Sequence, residues 1–310
     1  MIYLHKKAIL FFSSLLLVNL TGCATFEHIK PAPPQSQAIT LKISPEELSA
    51  WSDLPIGAYR IPDSQVIISG HQQGAGAGLL FGLIGLAVAH AANVNAGADS
   101  VKDIESQLRV NLNEQVKTSI QQIVASNQFN KRFTQTDIAG NSKLFITPAL
   151  VLSYLSETDI RPFVVLKVNL VGMDNQTIWT TRYFASAGDA RPLTGTNGWL
   201  ENGGAAFKDV VQSNLDLAMR TMVADIVKPF PRDEKDLTMI QANFPYMRQR
   251  LQTVVLKLNE DDRYLTTAPR FGDLMVFSGV NIFDKSTITY RPATPDDSVF
   301  KIIDNPTAQN

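Results

Sequence analysis

The sequence predicts an α+β fold, in which an antiparallel sheet carries two long helices on one face. Three observations lead to this prediction. Apolar residues recur at three-to-four spacing over residues 101–123 and again over 207–226, which is the period of an amphipathic helix. Three strand-like stretches lie between these two helices, at 144–155, 161–170 and 177–185. Shorter strand-like stretches, separated by Gly, Asp and Pro, follow residue 231 and predict a small β-rich module.

Local signals place the individual elements in chain order. Residues 59–69 read as a first strand, and residues 100–103 fit the capping box of the first helix. Pro148 within the strand at 144–155 indicates a sheet edge or a bulge, because proline has no N–H for the ladder. Residues 173–176 predict a hairpin turn, and Asn202 is the expected N-cap of the second helix. In the last module we expect strands at 253–258, 264–267, 274–278 and 286–290.

The first 23 residues have the pattern of an export signal. Lys6 and Lys7 precede an apolar run of about 13 residues, too short to cross a hydrocarbon core of ~30 Å as a helix. The run ends in Leu20-Thr21-Gly22-Cys23, which resembles the lipobox of bacterial lipoproteins. The alternatives are an ordinary secretory signal with a chance cysteine, and a buried free thiol.

The lipobox resemblance implies cleavage before Cys23 and attachment of fatty-acyl chains, such as palmitate, to this residue. Ala24 follows, and in lipoproteins of this kind a residue other than aspartate favours the outer membrane. Four regions result: residues 1–22 as signal peptide, 23–58 as lipidated tether, 59–231 as the α+β domain and 232–310 as the small β-rich module and tail. The α+β domain contains a hydrophobic insertion at 70–98.

The insertion is the most unusual part of the chain. Residues 64–98 contain no Asp, Glu, Lys or Arg, and within 74–92 the only polar side chain is that of His90. Four glycines recur at every fourth position and give a helix one face without side chains, which is typical of helix–helix contacts in membranes. These glycines are Gly70, Gly74, Gly78 and Gly82. The segment is compatible with membrane insertion, with a hairpin packed inside protein, and with disorder, since glycine disfavours a water-exposed helix.

Composition and motifs narrow the classes of function. The 28 basic and 29 acidic residues nearly balance, which argues against a nucleic-acid partner, and a single cysteine excludes an internal disulfide and a thiolate zinc cluster. No histidine has a partner at metal-ligand spacing, and the common nucleophile and nucleotide motifs are missing. The carboxylate clusters at 260–262 and 296–297 read as solvated turns, and Trp199 as an aromatic that covers a sheet edge. We therefore expect no enzyme activity, no cofactor and no metal.

A resemblance at the level of pattern covers residues 59–229. A long amphipathic helix, three consecutive strands with Ile178-Trp179 in the third, and a closing helix rich in Ala and Val resemble the ABC-type transport auxiliary lipoproteins and the periplasmic domain of the curli-secretion channel lipoprotein. The glycine-rich insertion is similar to that of the ring-forming complement-resistance lipoproteins of conjugative plasmids. These resemblances imply an outer-membrane lipoprotein on the periplasmic side, acting as a non-enzymatic assembly or accessory component of an envelope machine.

The expected partners follow from the same features. They are the membrane, through acyl chains on Cys23 and through residues 74–92, and further copies of the chain or an envelope protein complex. The alternative function is that of a tethered periplasmic hydrolase or ligand-binding protein that acts as a monomer.

Overall fold

A computed structural model describes residues 29–44, 54, 57–70, 94–129, 131–233, 235–270, 278–298 and 300–303. The strands are β1 Ile39–Ile43, β2 Tyr59–Arg60, β3 Val66–Ser69, β4 Phe133–Thr134, β5 Lys143–Tyr154, β6 Asp159–Val171, β7 Thr177–Ser186, β8 Arg191–Pro192, β9 Leu237–Asn243, β10 Arg250–Glu260, β11 Tyr264–Pro269, β12 Val280–Asp284, β13 Thr289–Pro292 and β14 Phe300–Ile303. The helices are α1 Glu105–Leu108, α2 Asn113–Ala125 and α3 Glu201–Val227. Residues 94–101 are also helical, and Lys285–Thr287 form a 3-10 turn.

All 14 strands belong to one mixed sheet, whose main path runs β13-β9-β10-β11-β12-β7-β6-β5-β1-β4. Helices and a single large sheet confirm the predicted α+β class at this coarse level. The expectation of an antiparallel sheet is wrong for part of the path. Strands β1 and β3 both run parallel to β5, and β12 runs parallel to β7. Alternation of side chains reveals a strand but not the direction of its neighbour, which depends on residues far away in sequence.

The meander β5–β6–β7 is the centre of the sheet and confirms the three predicted strands. In β6, Val164, Leu166 and Val168 belong to the core beneath the helices, whereas Phe163 and Val165 belong to a second apolar cluster on the opposite face. Both faces are therefore covered, as the run of apolar residues in this strand requires.

Pro148 lies in a gap between two neighbours of β5 rather than at an outer edge. Strand β1 pairs with residues 143–146 of β5, and strand β3 pairs with residues 150–153. The missing N–H of Pro148 falls between these two ladders, where no strand needs it.

The first predicted helix, over residues 101–123, is broken into short pieces. Helix α1 ends at Leu108, and α2 begins only at Asn113. Gln65 stabilises the break, since its backbone N–H donates to the Val110 carbonyl over 2.9 Å and its side-chain carbonyl accepts from the Leu112 N–H. The apolar stripe continues across the break because each piece turns the same face to the core.

Helix α3 confirms the second predicted helix but begins differently. Asn202, Gly203 and Gly204 have φ values of 53°, 72° and 74°, so the regular helix starts after Gly204. The expectation that Asn202 is the N-cap is therefore wrong. Leu200 precedes the irregular first turn and makes no side-chain capping bond.

The strands after residue 231 extend the same sheet. Val280–Asp284 pair with the end of β7, and the turn after β9 lies over the second face of the meander. There the Ser69 hydroxyl donates to the Tyr246 carbonyl over 2.9 Å, and the Tyr246 N–H donates to the Ser153 hydroxyl over 3.0 Å. Strands β9, β12 and β14 were not expected from the sequence, and the strand expected at 274–278 falls almost entirely outside the described residues.

Candidate functional site: the docked N-terminal segment

Residues 29–38, called here the N-terminal segment, are fastened to the sheet and to the end of α3. The Ile29 carbonyl accepts a hydrogen bond from Nε of Arg232 over 2.6 Å. The next carbonyl, that of Lys30, accepts from the indole N–H of Trp179 over 2.9 Å. These residues fall within the predicted tether, of which residues 39–43 also form strand β1. The chain is thus held in place well before residue 59.

A buried ion pair between Asp225 and Arg232 supports this attachment. Asp225 is 1% exposed and forms a two-pronged contact with the Arg232 guanidinium, with N–O distances of 3.0 and 2.7 Å. The same carboxylate accepts from the Tyr183 hydroxyl and from the Phe230 N–H, each over 2.9 Å. Four donors therefore converge on two oxygens, and the negative charge is fully hydrogen-bonded.

Tyr183 links this network to the sheet. Burial, and next to it the negative charge of Asp225, raise the pKa of the Tyr183 hydroxyl well above its ordinary value near 10. The phenol thus remains a neutral donor, and all polar groups of the network are used in holding the chain together. This arrangement is structural rather than reactive.

Sequence reasoning missed Asp225 and Arg232, although one signal was available. Asn214 and Asp225 are eleven residues apart, which is three helical turns, so both lie on the apolar face of α3. Asn214 is fully buried, accepts from the Ala187 N–H over 2.8 Å and donates to the Pro162 carbonyl over 3.2 Å. Two polar residues at this spacing in an apolar stripe indicate buried hydrogen bonds to the sheet.

A cavity of about 110 Å³ lies beside the attachment, between the N-terminal segment and the end of α3. Pro33, Gln35, Phe133 and Val227 contribute to its walls, and Arg132 is the charged residue among those that line it. Pockets for small organic ligands have volumes of roughly 300–1,000 Å³. The cavity suits a few water molecules.

No protein-family model matches the chain, and no curated protein matches it. Function must therefore be argued from the residues themselves.

The predicted contact residues fall mostly outside the described part of the chain. Cys23, Gly74, Gly78 and Gly82 lie outside it. Gly70 follows β3 with φ of +94°, and a Cβ atom there would lie 2.4 Å from the Tyr154 carbonyl oxygen. Close packing on a neighbouring strand thus requires glycine at this position, independently of any contact between helices.

The two carboxylate clusters hold turns together. Asp297 forms a two-pronged ion pair with Arg291 and accepts from the Thr294 N–H, and the Arg291 hydrogen bond above all lowers the pKa of Asp297 to about 2. A hydrogen bond from the Tyr290 hydroxyl is the largest influence that lowers the pKa of Glu260. Within the described ranges, no three His, Cys, Asp or Glu side chains are grouped so that they would hold a metal ion.

Two further residues, Trp199 and Arg161, lie near the start of β6. Trp199 is 2% exposed, donates its indole N–H to the Ile160 carbonyl over 2.8 Å and lies under the Arg191 guanidinium at 4.9 Å. It is therefore buried in the main core beside the first residues of β6, and its role as a cover for a sheet edge stays a prediction. Burial lowers the pKa of nearby Arg161 to about 10, an effect that the carboxylate of Asp189 opposes.

Proposed function

We propose that the chain is a lipid-anchored lipoprotein of the outer membrane, facing the periplasm, that acts as a non-enzymatic assembly or accessory component of an envelope machine. One observation carries the proposal. Leu20-Thr21-Gly22-Cys23 resembles a lipobox, and the N-terminal segment is fastened to the fold from Ile29 onwards, only six positions after the cysteine. A lipid on Cys23 would hold the whole folded body directly at a membrane surface.

The use of buried polar groups supports a role in positioning. One buried network docks the N-terminal segment and consists of Asp225, Tyr183 and Arg232. Asn214 binds helix α3 to the sheet. None of the described helices is long and apolar enough to cross a bilayer. Attachment through acyl chains supplies the membrane contact in this proposal.

The anchor is tested by replacing Cys23 with Ala. Since Cys23 is the only cysteine, the variant should remain uncleaved by the lipoprotein peptidase and should incorporate no clickable fatty acid. Wild-type chain from the same cells is the positive control. Fatty-acid label retained in the variant would contradict the lipobox interpretation.

We further propose that the glycine segment mediates contact between copies of the chain. The segment leaves the described fold at Gly70, beside Tyr154, and rejoins it where a Cβ on Gly97 would lie 2.9 Å from the Cβ of Tyr59. Both flanking glycines are thus required by contacts inside the fold. Only glycines between them are suitable for testing contacts between copies.

Gly78→Leu tests this contact, with Gly76→Leu as its matched control. On a helix, two residues correspond to about 200°, so the same change at Gly76 falls on the opposite face. Gly78→Leu should reduce the native mass of the detergent-extracted particle, because a bulky side chain separates closely packed backbones. Far-UV circular dichroism should remain unchanged in both variants. A wild-type monomer, or equal effects of the two substitutions, would contradict the proposal and favour the tethered monomeric hydrolase or ligand-binding protein.

A further inference from the structure

We propose that the end of the sheet formed by the β6–β7 hairpin faces the lipid bilayer, with Met173 and Ile178 in contact with its headgroup region. The inference rests on the proposed anchor at Cys23. It adds the orientation of the folded body on the membrane and the side chains that touch the lipid.

The length of chain between anchor and fold restricts the orientation. Cys23 and Ile29 are six positions apart, so even a fully extended chain spans only about 20 Å between them. Strand β6 has 13 residues and is therefore roughly 43 Å long. The end of the sheet that lies near Ile29 is therefore the part that is held close to a membrane surface carrying Cys23.

The hydrogen bonds identify that end. The Lys30 carbonyl is bound by Trp179, the third residue of β7, which lies opposite Leu170 near the end of β6. The turn between these strands, residues 172–176, is therefore the nearest projecting part of the sheet. The Gly172 N–H donates to the Gln176 carbonyl over 2.8 Å and closes this turn.

Exposed apolar side chains are concentrated at the same end. Within the described ranges, four large hydrophobic side chains are strongly exposed: Met173 at 72%, Ile138 at 48%, Ile178 at 47% and Ile302 at 38%. Met173 lies in the hairpin turn, Ile178 follows it in β7, and Ile138 belongs to the loop that leads into β5 at this end. Apolar side chains on a tip that is anchored at a membrane gain free energy by entering the headgroup boundary.

The fourth exposed residue, Ile302, lies at the opposite end and provides a matched control. It pairs with Leu251 on β10, close to Arg248. The Arg248 guanidinium contacts Glu157, which belongs to the connection at the far end of β6. In the proposed orientation, the length of β6 separates Ile302 from the lipid.

The charges at the hairpin end are compatible with phospholipid headgroups. Lys30 and Lys228 are both exposed there and complement phosphate groups. The exposed carboxylate of Asp174 accepts the Gln176 N–H over 3.1 Å, so it is engaged within the turn.

The test uses the full lipidated chain in vesicles of phosphatidylethanolamine and phosphatidylglycerol. Met173→Cys, Ile178→Cys and Ile302→Cys are each labelled with an environment-sensitive fluorophore. The label is specific because the Cys23 thiol is consumed in the thioether of the anchor. Quenching by lipids with a spin label near the headgroup should be several-fold stronger at positions 173 and 178 than at 302.

The outcomes separate this inference from the function on which it rests. Mass spectrometry of the same samples measures acylation, and a chain without acyl groups would overturn the proposed anchor together with the orientation. If the chain is acylated, equal quenching at the three positions, or the strongest quenching at 302, would overturn the orientation alone. Far-UV circular dichroism confirms that each labelled variant is folded, and position 173 carries the test if position 178, which is less exposed than 173, does not tolerate the label.

Discussion

Replacing Asp225 with Asn removes the negative charge that holds helix α3, the sheet and the N-terminal segment together, with almost no change of shape. Both carboxylate oxygens accept two hydrogen bonds each. In the Asn variant, an NH₂ group replaces one of these two oxygens. Because each oxygen accepts one N–H of Arg232, at least one N–H of Arg232 then loses its acceptor. The buried guanidinium then loses the carboxylate that it contacts among the described residues.

The expected loss of stability is large because both partners are buried. The side chains of Arg232 and Asp225 are only 10% and 1% exposed, so solvent screens the pair weakly. Removing one member of such a pair destabilises a protein by about 3–5 kcal/mol. We expect a decrease of this size in the free energy of unfolding for Asp225→Asn. Arg232→Met should also destabilise, and the double variant should lose less than the sum of the two single losses.

The assay is urea unfolding of the full chain in detergent, followed by near-UV circular dichroism. Asp209→Asn is the matched control, since Asp209 lies on the same helix and is exposed, and it should change the free energy of unfolding by no more than about 0.5 kcal/mol. A loss below about 1 kcal/mol for Asp225→Asn would refute the reasoning, because breaking a buried ion pair destabilises a protein by more than this. Additive effects in the double variant would also refute it, because residues in direct contact are expected to be coupled.

Three further predictions follow from single positions. Asn214→Ala leaves a buried backbone N–H without an acceptor, and should lower the free energy of unfolding by about 1–3 kcal/mol in the same assay. Gly70→Ala should destabilise more than Gly195→Ala in thermal unfolding: both glycines have positive φ, but only the first Cβ would meet backbone, at Tyr154. The raised pKa of Tyr183 means that the folded state retains a proton that the unfolded state releases above pH of about 10. Stability should therefore fall as the pH rises above that value, and in Tyr183→Phe the fall should be shallower.

The meander could be predicted from sequence because each of its strands is specified by its own residues. Alternation in β6 and the turn at 173–176 are local signals, and the structure confirms both. Strand β1 carried a similar signal, since Ile39 and Leu41 alternate with polar residues, but the neighbouring prolines favoured a spacer. Its pairing with β5 depends on residues about a hundred positions later.

The break between α1 and α2 could not be predicted from the helical segment itself. Leu108, Leu112 and Val116 keep the spacing of an unbroken helix and are all fully buried. The interruption depends on Gln65, which belongs to a distant hairpin and takes over the hydrogen bonds of the broken turn. In the same way, the docking site of the N-terminal segment depends on Arg232, which no local pattern connects with Ile29.

The hydrogen bond between Ile29 and Arg232 joins groups 203 positions apart. This separation affects the order in which the two groups become available to each other. A chain exported from its N-terminus presents Ile29 long before Arg232 has crossed the membrane. In the proposed lipoprotein, the enzymes that acylate and cleave a lipobox would therefore act on Cys23 before Ile29 is bound by Arg232. Once Arg232 arrives, the connection shortens to six positions. In an acylated chain, the completion of folding would then draw the body down onto the membrane.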